Sequence, residues 1–446
     1  MPAEADRVAP HAAVDTAKQF LSTFKIPGRL LVAISGGSDS NGLLLAFNDA
    51  IATGGFSGFS LAACTVDHGL RAQAADEARS VAALCAARGI PHVTRVWQGE
   101  KPKTGLQAAA RAARYPLLAD AAQEMGATCI LAGHTADDQA ETIAMRQSRS
   151  LPDAPGLAGM AAGVLVDRRV WVLRPFLGLQ RSTIRDYLAS IGEGWIDDPS
   201  NTDSGFERVR IRQSLGGDAG LTLSQQAAAK ARRHSSERMA ALLAENVALF
   251  SGLAARVTPE LAAQTADPDT RRALLCLAAV IGGRENLPGR ETASRLATFL
   301  ASGACDRMTA GRVVFDHRRN GLYLYREARG LPEIAVEPGQ RAIWDGRFNL
   351  VNSGPEPVIV RPAGEARNMD AGLIAAGLPE AVAKRALKSA PGIFPASSGP
   401  VPPDVRLEPH IGLYDTFLPC FDRMIADRIA ALFGRDRYLA PPVHDV

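Results

Sequence analysis

The sequence predicts an α/β protein. A doubly wound parallel sheet comes first, a helical region follows, and a small, mostly β region ends the chain. Short unbroken apolar runs alternate with helical stretches in the first half, as in parallel strands covered by helices on both faces. The length of 446 residues corresponds to about three domains. We therefore expect domains over residues 1–215, 216–330 and 331–446.

Five apolar segments of the first half are predicted strands, and the last of them forms one or two strands: residues 30–34, 61–66, 93–97, 129–132 and 164–173. Helical patterns accompany them at residues 43–47, 72–87, 106–125, 136–146 and 179–191. Pro116 predicts a kink or a restart within the third of these helices. In such a sheet, ligands lie beyond the carboxyl ends of the strands.

The second half of the chain has a different pattern. Residues 224–300 are expected to be nearly all helical. Residues 312–325 alternate like a β-hairpin around Asn320-Gly321, which is a strong turn signal. Short strand-like segments follow residue 331, and the Pro- and Ser-rich residues 391–403 are expected to form a loop.

The composition is that of an ordinary globular protein, with 46% apolar and 22% charged residues. A formal net charge of +3 argues against a polybasic protein but allows a local basic surface. No apolar run approaches the roughly 18 residues of a membrane span, and the acidic N-terminus lacks a signal core. The six cysteines are scattered without a C-x-x-C pair, which is typical of a reduced, cytoplasmic protein.

The segment after the first strand has the features of a phosphate-binding loop. It reads Ser35-Gly36-Gly37-Ser38-Asp39-Ser40. Its glycines permit unusual backbone angles, and its amides lie at a helix start, where they attract anions. Asp39 would repel phosphate unless it holds Mg²⁺. The segment matches neither a Walker loop nor a G-x-G-x-x-G fingerprint, and such a segment taken alone is more often an ordinary turn.

The same loop resembles the PP-loop of the N-type ATP pyrophosphatases, which cleave ATP to AMP and pyrophosphate. Further segments are similar to those of one group, the tRNA(Ile)-lysidine synthetases, and occur in the same order: Val66–Arg71, Ala110–Tyr115, Gly133–Thr142, Gly156–Met160, Arg174–Leu177 and Trp195–Asn201. The resemblance is strong over residues 30–215, weaker in the helical region and faint after residue 331. It implies a PP-loop ATPase fold with a Rossmann-like sheet, so that residues 1–215 would form an ATP-binding catalytic domain. Residues 216–330 would then form a mainly helical tRNA-contacting domain that ends in a hairpin, and residues 331–446 a mixed or β-rich tRNA-binding domain.

The resemblance also implies an ATP-dependent ligase that forms a C–N bond. Its substrates would be ATP, free L-lysine and the isoleucine tRNA with a CAU anticodon. The oxygen at C2 of cytidine 34 would first be adenylated, and lysine would then displace AMP to give lysidine. Mg²⁺ is the expected metal and no membrane partner is expected. The sequence leaves open whether the chain is a monomer or a homodimer.

Residues of two strand ends are expected to bind ATP. The loop residues 35–40 would hold its phosphates, and Asp67 and His68 follow the second strand at the same edge of the sheet. A helix cap is the alternative role for Asp67. Asp39 and Asp138 are the expected Mg²⁺ ligands.

An acidic group follows the fourth strand. Asp137 and Asp138 lie four and three positions before Glu141, so all three share one helical face. Such a group needs a cation, either Mg²⁺ or the ammonium of lysine, from which a proton must be removed. The alternative is that these residues complement the helix dipole behind a Thr135 cap. His134 is a candidate to position phosphate or base.

Two arginines and a tryptophan are further candidates. Arg111 and Arg114 share a helical face and are placed to clamp the ATP phosphates or the adenylated intermediate, with a solvated face as the alternative. Trp195 is a candidate to stack on a base, with a core position as the alternative.

Arg208, Arg210 and Arg212 are the expected tRNA-binding residues. They match an Arg-rich segment that follows the sheet in the family. They lie within residues 207–238, which hold seven basic and three acidic residues. Contacts to RNA phosphates are the expectation, and a solvated helical face is the alternative.

The chain departs from the family at two places, and two other functions stay open. Thr135 replaces the second histidine of the family's AHH segment, and Pro152 and Pro155 lie where many relatives have a Gly/Ser-rich link. One alternative function is a sulfur-transferring PP-loop tRNA enzyme, which usually needs paired cysteines. The other is a non-catalytic RNA-binding protein, against which the intact SGGSDS and DDQAET segments argue.

Overall fold

The structure is a computed structural model that describes residues 11–70, 73–102, 104–147, 158–197, 220–364, 369–396 and 404–444. The chain divides into two compact units. Unit one comprises Met1–Arg232, Pro419–Phe421 and Leu439–Val446, and unit two comprises Arg233–Leu418 and Asp422–Tyr438. The division into three domains remains a prediction.

Unit one contains the predicted parallel sheet with its crossover helices. The strands are β1 (Arg29–Ala33), β2 (Ser60–Asp67), β3 (His92–Val96), β4 (Cys129–Ala132), β5 (Gly163–Val166) and β6 (Val170–Leu173). The helices are α1 (Ala12–Ser22), α2 (Ser38–Thr53), α3 (Ala74–Ala86), α4 (Leu106–Glu124), α5 (Ala136–Gln147) and α6 (Arg181–Ser190). Helix α4 continues through Pro116, so this proline does not end it.

The strand order places two loops side by side. The six strands run in the order β5-β6-β4-β1-β2-β3, and β1 pairs in parallel with β2 and with β4. Within this group β5 alone runs antiparallel, to β6. The chain moves outward from β1 to β3 and then returns to the other side of β1 as β4. The switch point of the sheet therefore lies between β1 and β4, where such sheets bind ligands.

Burial explains the unbroken apolar runs. Every residue of β4, and every residue of β1 after Arg29, is buried, as expected of strands covered by helices on both faces. Helix α2 packs against α1 and α6. A methyl group on Gly42 would come within 2.2 Å of Ile184 Cγ2, so this glycine lets α6 approach α2 closely.

The later part of the chain alternates short strands and helices. Its strands are β7 (Val247–Phe250), β8 (Ala254–Val257), β9 (Arg307–Ala310), β10 (Val313–Arg318), β11 (Gly321–Arg326), β12 (Ile334–Val336), β13 (Arg341–Trp344), β14 (Phe348–Asn352), β15 (Val358–Pro362), β16 (Pro391–Pro395), β17 (Val405–Pro409) and β18 (Phe417–Pro419). Its helices are Gly220–Asn246, Pro259–Ala263, Pro268–Ile281, Arg290–Ala301, Met369–Ala375, Glu380–Leu387, Gly412–Asp415 and Arg423–Leu432, with a 3₁₀ turn at Cys420–Asp422. No helix among the described residues is long and apolar enough to cross a membrane.

Two local predictions for this part are confirmed and two are wrong. The short strands expected after residue 331 form as β12 to β15. The hairpin around Asn320-Gly321 forms as β10 and β11, inside a five-stranded sheet of order β7-β8-β11-β10-β9. The nearly all-helical reading of residues 224–300 is wrong, because β7 and β8 pair with each other and β8 with β11. The loop prediction is wrong for Pro391–Pro395, which forms β16 at the edge of a three-stranded sheet. Proline is tolerated at such an edge because no partner there needs its missing N–H.

Candidate active site

The loop after β1 forms an open amide cradle. Helix α2 begins at Ser38, and its first hydrogen bond runs from Asn41 N to Gly37 O over 3.0 Å. The amides of Ser38, Asp39 and Ser40 precede that bond and have no acceptor among the described residues. Three free N–H groups at a helix N-terminus are suited to an anion.

The two glycines of the loop have different roles. Gly36 has φ +87°, a left-handed angle that favours glycine. Gly37 has φ −73° and ψ 162°, which other residues adopt readily, so of the two loop glycines Gly36 alone has an angle that favours glycine. Ser40 fixes the loop internally, since its hydroxyl accepts from Ser35 N and donates to Gly37 O, each over 3.1 Å.

Arg181, the first residue of α6, joins three carboxylates at the switch point. Its Nε donates to Asp39 Oδ2 over 2.8 Å, and Nη2 lies 3.4 Å from Asp138 Oδ1. Its backbone N donates to Asp137 Oδ2 over 2.8 Å. The cation that the acidic group requires is therefore supplied by the protein itself in this structure. Sequence reasoning did not single out Arg181.

The charges of this cluster perturb one another. Burial raises the pKa of Asp39 above its usual value, although Arg181 opposes the shift. Burial alone would lower the pKa of Arg181, but the carboxylates of Asp39, Asp138 and Asp137 hold it above its usual value. Asp39 is therefore protonated at a higher pH than an ordinary aspartate, which is a common property of functional carboxyls.

Asp138 also caps its own helix. Its Oδ2 accepts from Thr135 N over 2.9 Å and from Thr135 Oγ1 over 3.1 Å, which is a capping box at the start of α5. Glu141 lies one turn further along and is only 1% exposed. Among the described residues, no three His, Cys, Asp or Glu side chains gather in a way that could hold a metal ion. Asp138 therefore has the helix-start role that was the alternative for the acidic group, and it also contacts Arg181.

His134 is held by a second buried arginine. Arg174 is 3% exposed, and its Nε donates to His134 Nδ1 over 3.2 Å while Nη1 donates to Ala161 O over 2.6 Å. Because Nδ1 accepts this bond, a neutral His134 carries its proton on Nε2. The sequence pattern indicates the segment Arg174–Leu177 but no role for Arg174 within it.

Arg111 and Arg114 both lie on α4, but their surroundings differ. Arg111 Nη2 donates to Tyr115 Oη over 3.2 Å. Burial alone would raise the pKa of Tyr115, but Arg111, Arg174 and Arg114 together hold it below its usual value. Burial and the charge of Arg111 lower the pKa of Arg114. The solvated-face alternative is therefore wrong for Arg114, which is half-buried, whereas Arg111 is exposed.

Asp67 is the last residue of β2, and His68 follows it within the field of Arg114. Asp67 Oδ1 accepts from Gly69 N over 2.7 Å, so its carboxylate closes a turn and does not cap a helix. Burial, Arg114 and Lys101 lower the pKa of His68 against the opposing charge of Asp67. His68 Nδ1 is buried and has no hydrogen-bond partner in the described part of the chain. A neutral imidazole thus stands at the same edge of the sheet as the amide cradle.

A segment after α6 lies over the cradle. Ile196 N donates to Gly36 O over 2.9 Å. Trp195 is half-buried, with the Arg185 guanidinium 5.2 Å from its ring centre, so it is not part of the core. Arg185 Nε also lies 3.4 Å from Ser38 Oγ. Arg181 and Arg185 are four residues apart and share one face of α6, a spacing that was visible in the sequence.

The structure does not test every predicted residue. Arg208, Arg210 and Arg212 lie outside the described residues, as do Pro152 and Pro155. Within unit one, the structure does bring the cradle, Asp39, Asp137 and Asp138 together around Arg181.

Fold and cradle together define a PP-loop protein, and the family model described as the PP-loop domain matches residues 11–218. A tRNA(Ile)-lysidine synthase of Rhizobium meliloti (strain 1021) is 53% identical over 98% of this chain and 98% of its own length. Those of Mesorhizobium japonicum and Brucella canis are 40% and 35% identical, over 93% and 91% of this chain and 94% of each relative. The chain belongs to the tRNA(Ile)-lysidine synthase family.

Proposed function

We propose that the protein ligates free L-lysine to C2 of cytidine 34 in the CAU-anticodon isoleucine tRNA, with ATP converted to AMP and pyrophosphate. The observation that carries the proposal is the open amide cradle of Ser38, Asp39 and Ser40, next to the Arg181 carboxylate cluster. An ATP-using ligase is what the PP-loop domain and the identity to the curated synthases indicate. The substrate follows the name of those relatives.

In the first step the cytidine C2 oxygen attacks the α-phosphorus of ATP. An O–P bond forms, the bond to the β-phosphate oxygen breaks, and pyrophosphate leaves with the electron pair. The cradle amides would hold phosphate oxygens, and Arg185, beside Ser38, would add a charged donor. Arg111 and Arg114 are proposed to stabilise the charge that develops on the phosphates.

Mg²⁺ fits the donor set at the cluster. Asp39 and Asp138 offer hard oxygen donors toward one shared position, which Arg181 spans in this structure. These two carboxylates would hold the ion, and its charge would offset that of the phosphates. Arg181, which contacts both carboxylates in this structure, would add a further positive charge beside the phosphates.

In the second step the amine of lysine attacks C2 and AMP leaves with the C2 oxygen. The amine must first lose a proton, because its usual pKa is about 10.4. Asp137, Asp138 and Glu141 are the proposed acceptors, and His134 is proposed to position the base or the phosphate. The fixed Nε2 proton of His134 makes it a donor toward either group.

The remaining partners follow from this reaction. Arg208, Arg210 and Arg212 are proposed to contact tRNA phosphates. We place the reaction in the cytoplasm, where tRNA is modified. Sedimentation of the chain distinguishes a monomer from a homodimer.

The cysteines do not favour sulfur transfer, the first alternative function. All six are free thiols, and five of them are buried. Burial raises the pKa of Cys64 to about 11, and that of Cys85 to about 11. Such thiols are poor nucleophiles at neutral pH.

One incubation separates the candidate functions. The protein is mixed with unmodified CAU-anticodon isoleucine tRNA, Mg²⁺-ATP and labelled lysine. The proposal expects label in the tRNA and one AMP released for each lysine attached. A thiolase would require a sulfur donor and attach no lysine, and a non-catalytic RNA-binding protein would bind the tRNA without releasing AMP. Absence of tRNA-linked label with fresh enzyme would rule the proposal out.

A further inference from the structure

Tyr115 on α4 connects two arginines that contact different parts of the site. Arg111 Nη2 donates a hydrogen bond to Tyr115 Oη over 3.2 Å. The guanidinium of Arg174, which follows β6, forms a side-chain hydrogen bond with the same hydroxyl. A guanidinium can only donate, so the phenol oxygen is the acceptor in both contacts. Its lone pairs are thereby engaged by two cations from different elements of unit one.

Arg174 is a buried cation whose donors need acceptors. It is 3% exposed, and its Nη1 donates to Ala161 O over 2.6 Å. Burial lowers the pKa of Arg174, and Tyr115 is the first of the groups that oppose this shift. A buried guanidinium is costly unless its N–H groups are paired. Tyr115 and Ala161 O therefore hold the plane of the guanidinium in one orientation.

The orientation of Arg174 determines which tautomer His134 adopts. Arg174 Nε donates to His134 Nδ1 over 3.2 Å. Nδ1 is then an acceptor, and a neutral imidazole carries its proton on Nε2. His134 follows the end of β4, beside the switch point of the sheet. A rotated guanidinium would release Nδ1, and the imidazole could then take up the opposite tautomer, which carries its proton on Nδ1.

We propose that Tyr115 is a positioning residue, which orients Arg174 and thereby fixes His134 as an Nε2–H donor in the site. The inference rests on the proposed function, in which His134 positions the base or the phosphate. It assigns a role to a phenol for which the sequence pattern indicated none. A phenylalanine would fill nearly the same space but accept no hydrogen bond, so the proposal concerns the hydroxyl and not the ring.

The test removes the hydroxyl and keeps the ring. Tyr115→Phe is compared in the full-length protein with Tyr438→Phe, whose lost hydroxyl donates to Asp415 Oδ1 over 2.7 Å within unit two. Each variant loses a hydrogen bond to a charged group, so a general loss of stability would affect both. The ¹⁵N spectrum of protein with labelled histidines reports the tautomer of each imidazole, and the signal that is missing in His134→Gln identifies His134.

For the wild type we expect the spectrum of a single Nε2–H tautomer at His134. In Tyr115→Phe the Nδ1–H tautomer should also be populated, because the guanidinium of Arg174 has lost an acceptor. The kcat for lysidine formation should fall about tenfold, in line with one hydrogen bond to a charged group. The KM for ATP should stay unchanged, since the effect falls on the reacting groups and not on substrate binding. Tyr438→Phe should match the wild type in kcat and in the His134 signal.

A double-mutant cycle shows whether Tyr115 acts through Arg174. Arg174→Lys retains the positive charge but lacks the planar fork that reaches both Tyr115 and His134. If the two residues act as one unit, Tyr115→Phe/Arg174→Lys should lower kcat no further than Arg174→Lys alone.

Three results would overturn the inference. In the first, Tyr115→Phe leaves the His134 signal as in the wild type, which would assign any change in kinetics to Arg111 or to packing. In the second, Tyr438→Phe alters that signal equally, which would show a general loss of stability. In the third, the two effects on kcat add in the double variant. The spectra need no turnover, so failure of the proposed function is distinct: the wild type would then attach no lysine to the tRNA.

Discussion

Arg181 Nε donates to Asp39 Oδ2 over 2.8 Å, and this bond joins the first turn of α6 to the first turn of α2. The same guanidinium reaches Asp138 on α5. Three helix N-termini thus meet at the switch point of the sheet, each with a positive dipole end. The carboxylates offset those ends in the free protein, and we propose that ATP phosphates take over part of that role during the reaction.

Replacing Arg181 should slow the reaction and shift its pH dependence. Arg181→Ala removes a charge-assisted hydrogen bond worth about 1.5–3 kcal/mol, so we expect kcat to fall roughly 10- to 100-fold. Burial of Asp39 remains while the opposing charge is lost, so its pKa rises further. Because Asp39 is proposed to act as a carboxylate, activity should be lost as pH falls through this pKa. The acidic limb of the pH–rate profile should therefore move to higher pH.

Arg181→Lys and Arg169→Ala serve as the comparisons. The lysine keeps the charge and should return the acidic limb most of the way to its wild-type position. Arg169 pairs with Asp120 on an exposed surface, and its loss should leave the profile unchanged. An acidic limb that stays in place in Arg181→Ala would contradict the coupling of Arg181 to Asp39.

Removal of Asp39 should separate chemistry from RNA binding. Asp39→Ala takes away a proposed Mg²⁺ ligand and the partner of Arg181, so we expect AMP release to be abolished. The affinity for tRNA should be largely intact, because Asp39 lies in the cradle and not on a proposed RNA-binding surface. Parallel assays of AMP release and tRNA binding check this. A variant that turns over normally would show that Asp39 does not hold the metal.

Gly133 should tolerate no side chain. A methyl group there would lie 2.7 Å from Asp39 O and 2.9 Å from Asp39 C, both backbone atoms that cannot rotate away. Gly133→Ala should therefore displace the cradle, raise the KM for ATP and reduce the free energy of unfolding by about 1–3 kcal/mol. Gly178 is the matched control, since a methyl group there meets nothing within 4 Å. Equal behaviour of the two variants in thermal unfolding and ATP kinetics would contradict the close approach.

The parts of the site nearest the strand ends could be predicted from the sequence. An unbroken apolar run followed by Ser35–Ser40 identifies a buried strand and its loop, because composition and turn residues are local properties. The position of Asp137 and Asp138 after β4 could be predicted in the same way, from the apolar strand and the residues that follow it. The contact of Arg181 could not be predicted, since it depends on how closely α6 docks on α2, and that approach is set by the packing of Gly42 against Ile184.

Short strands in unit two were predicted less well. Val247–Phe250 follows a long helix directly and is too short for its apolar pattern to distinguish helix from strand. It is a strand because β8 offers a pairing edge, which is a tertiary property. Pro391–Pro395 has the composition of a loop, yet it pairs with β15 at a sheet edge.

The Arg-rich segment after the sheet, which lies outside the described residues, is predicted from the sequence to bind tRNA. Neutralising Arg208, Arg210 and Arg212 together should weaken tRNA binding and reduce its salt slope by about two to three, if each contacts one phosphate. Binding measured at several salt concentrations checks this, with Arg168→Gln/Arg169→Gln as a surface control. A salt slope equal to that of the wild type would indicate that these arginines belong to a solvated helical face and do not contact phosphates.

We propose that the PP-loop site adenylates the tRNA before lysine attacks. The most direct measurement incubates the protein with CAU-anticodon isoleucine tRNA and ATP labelled at the α-phosphate, without lysine. Adding lysine should then discharge the label from the tRNA as AMP. We expect labelled tRNA before lysine is added and labelled AMP afterwards. A tRNA that never takes up the label, or that keeps it when lysine is added, would contradict the account.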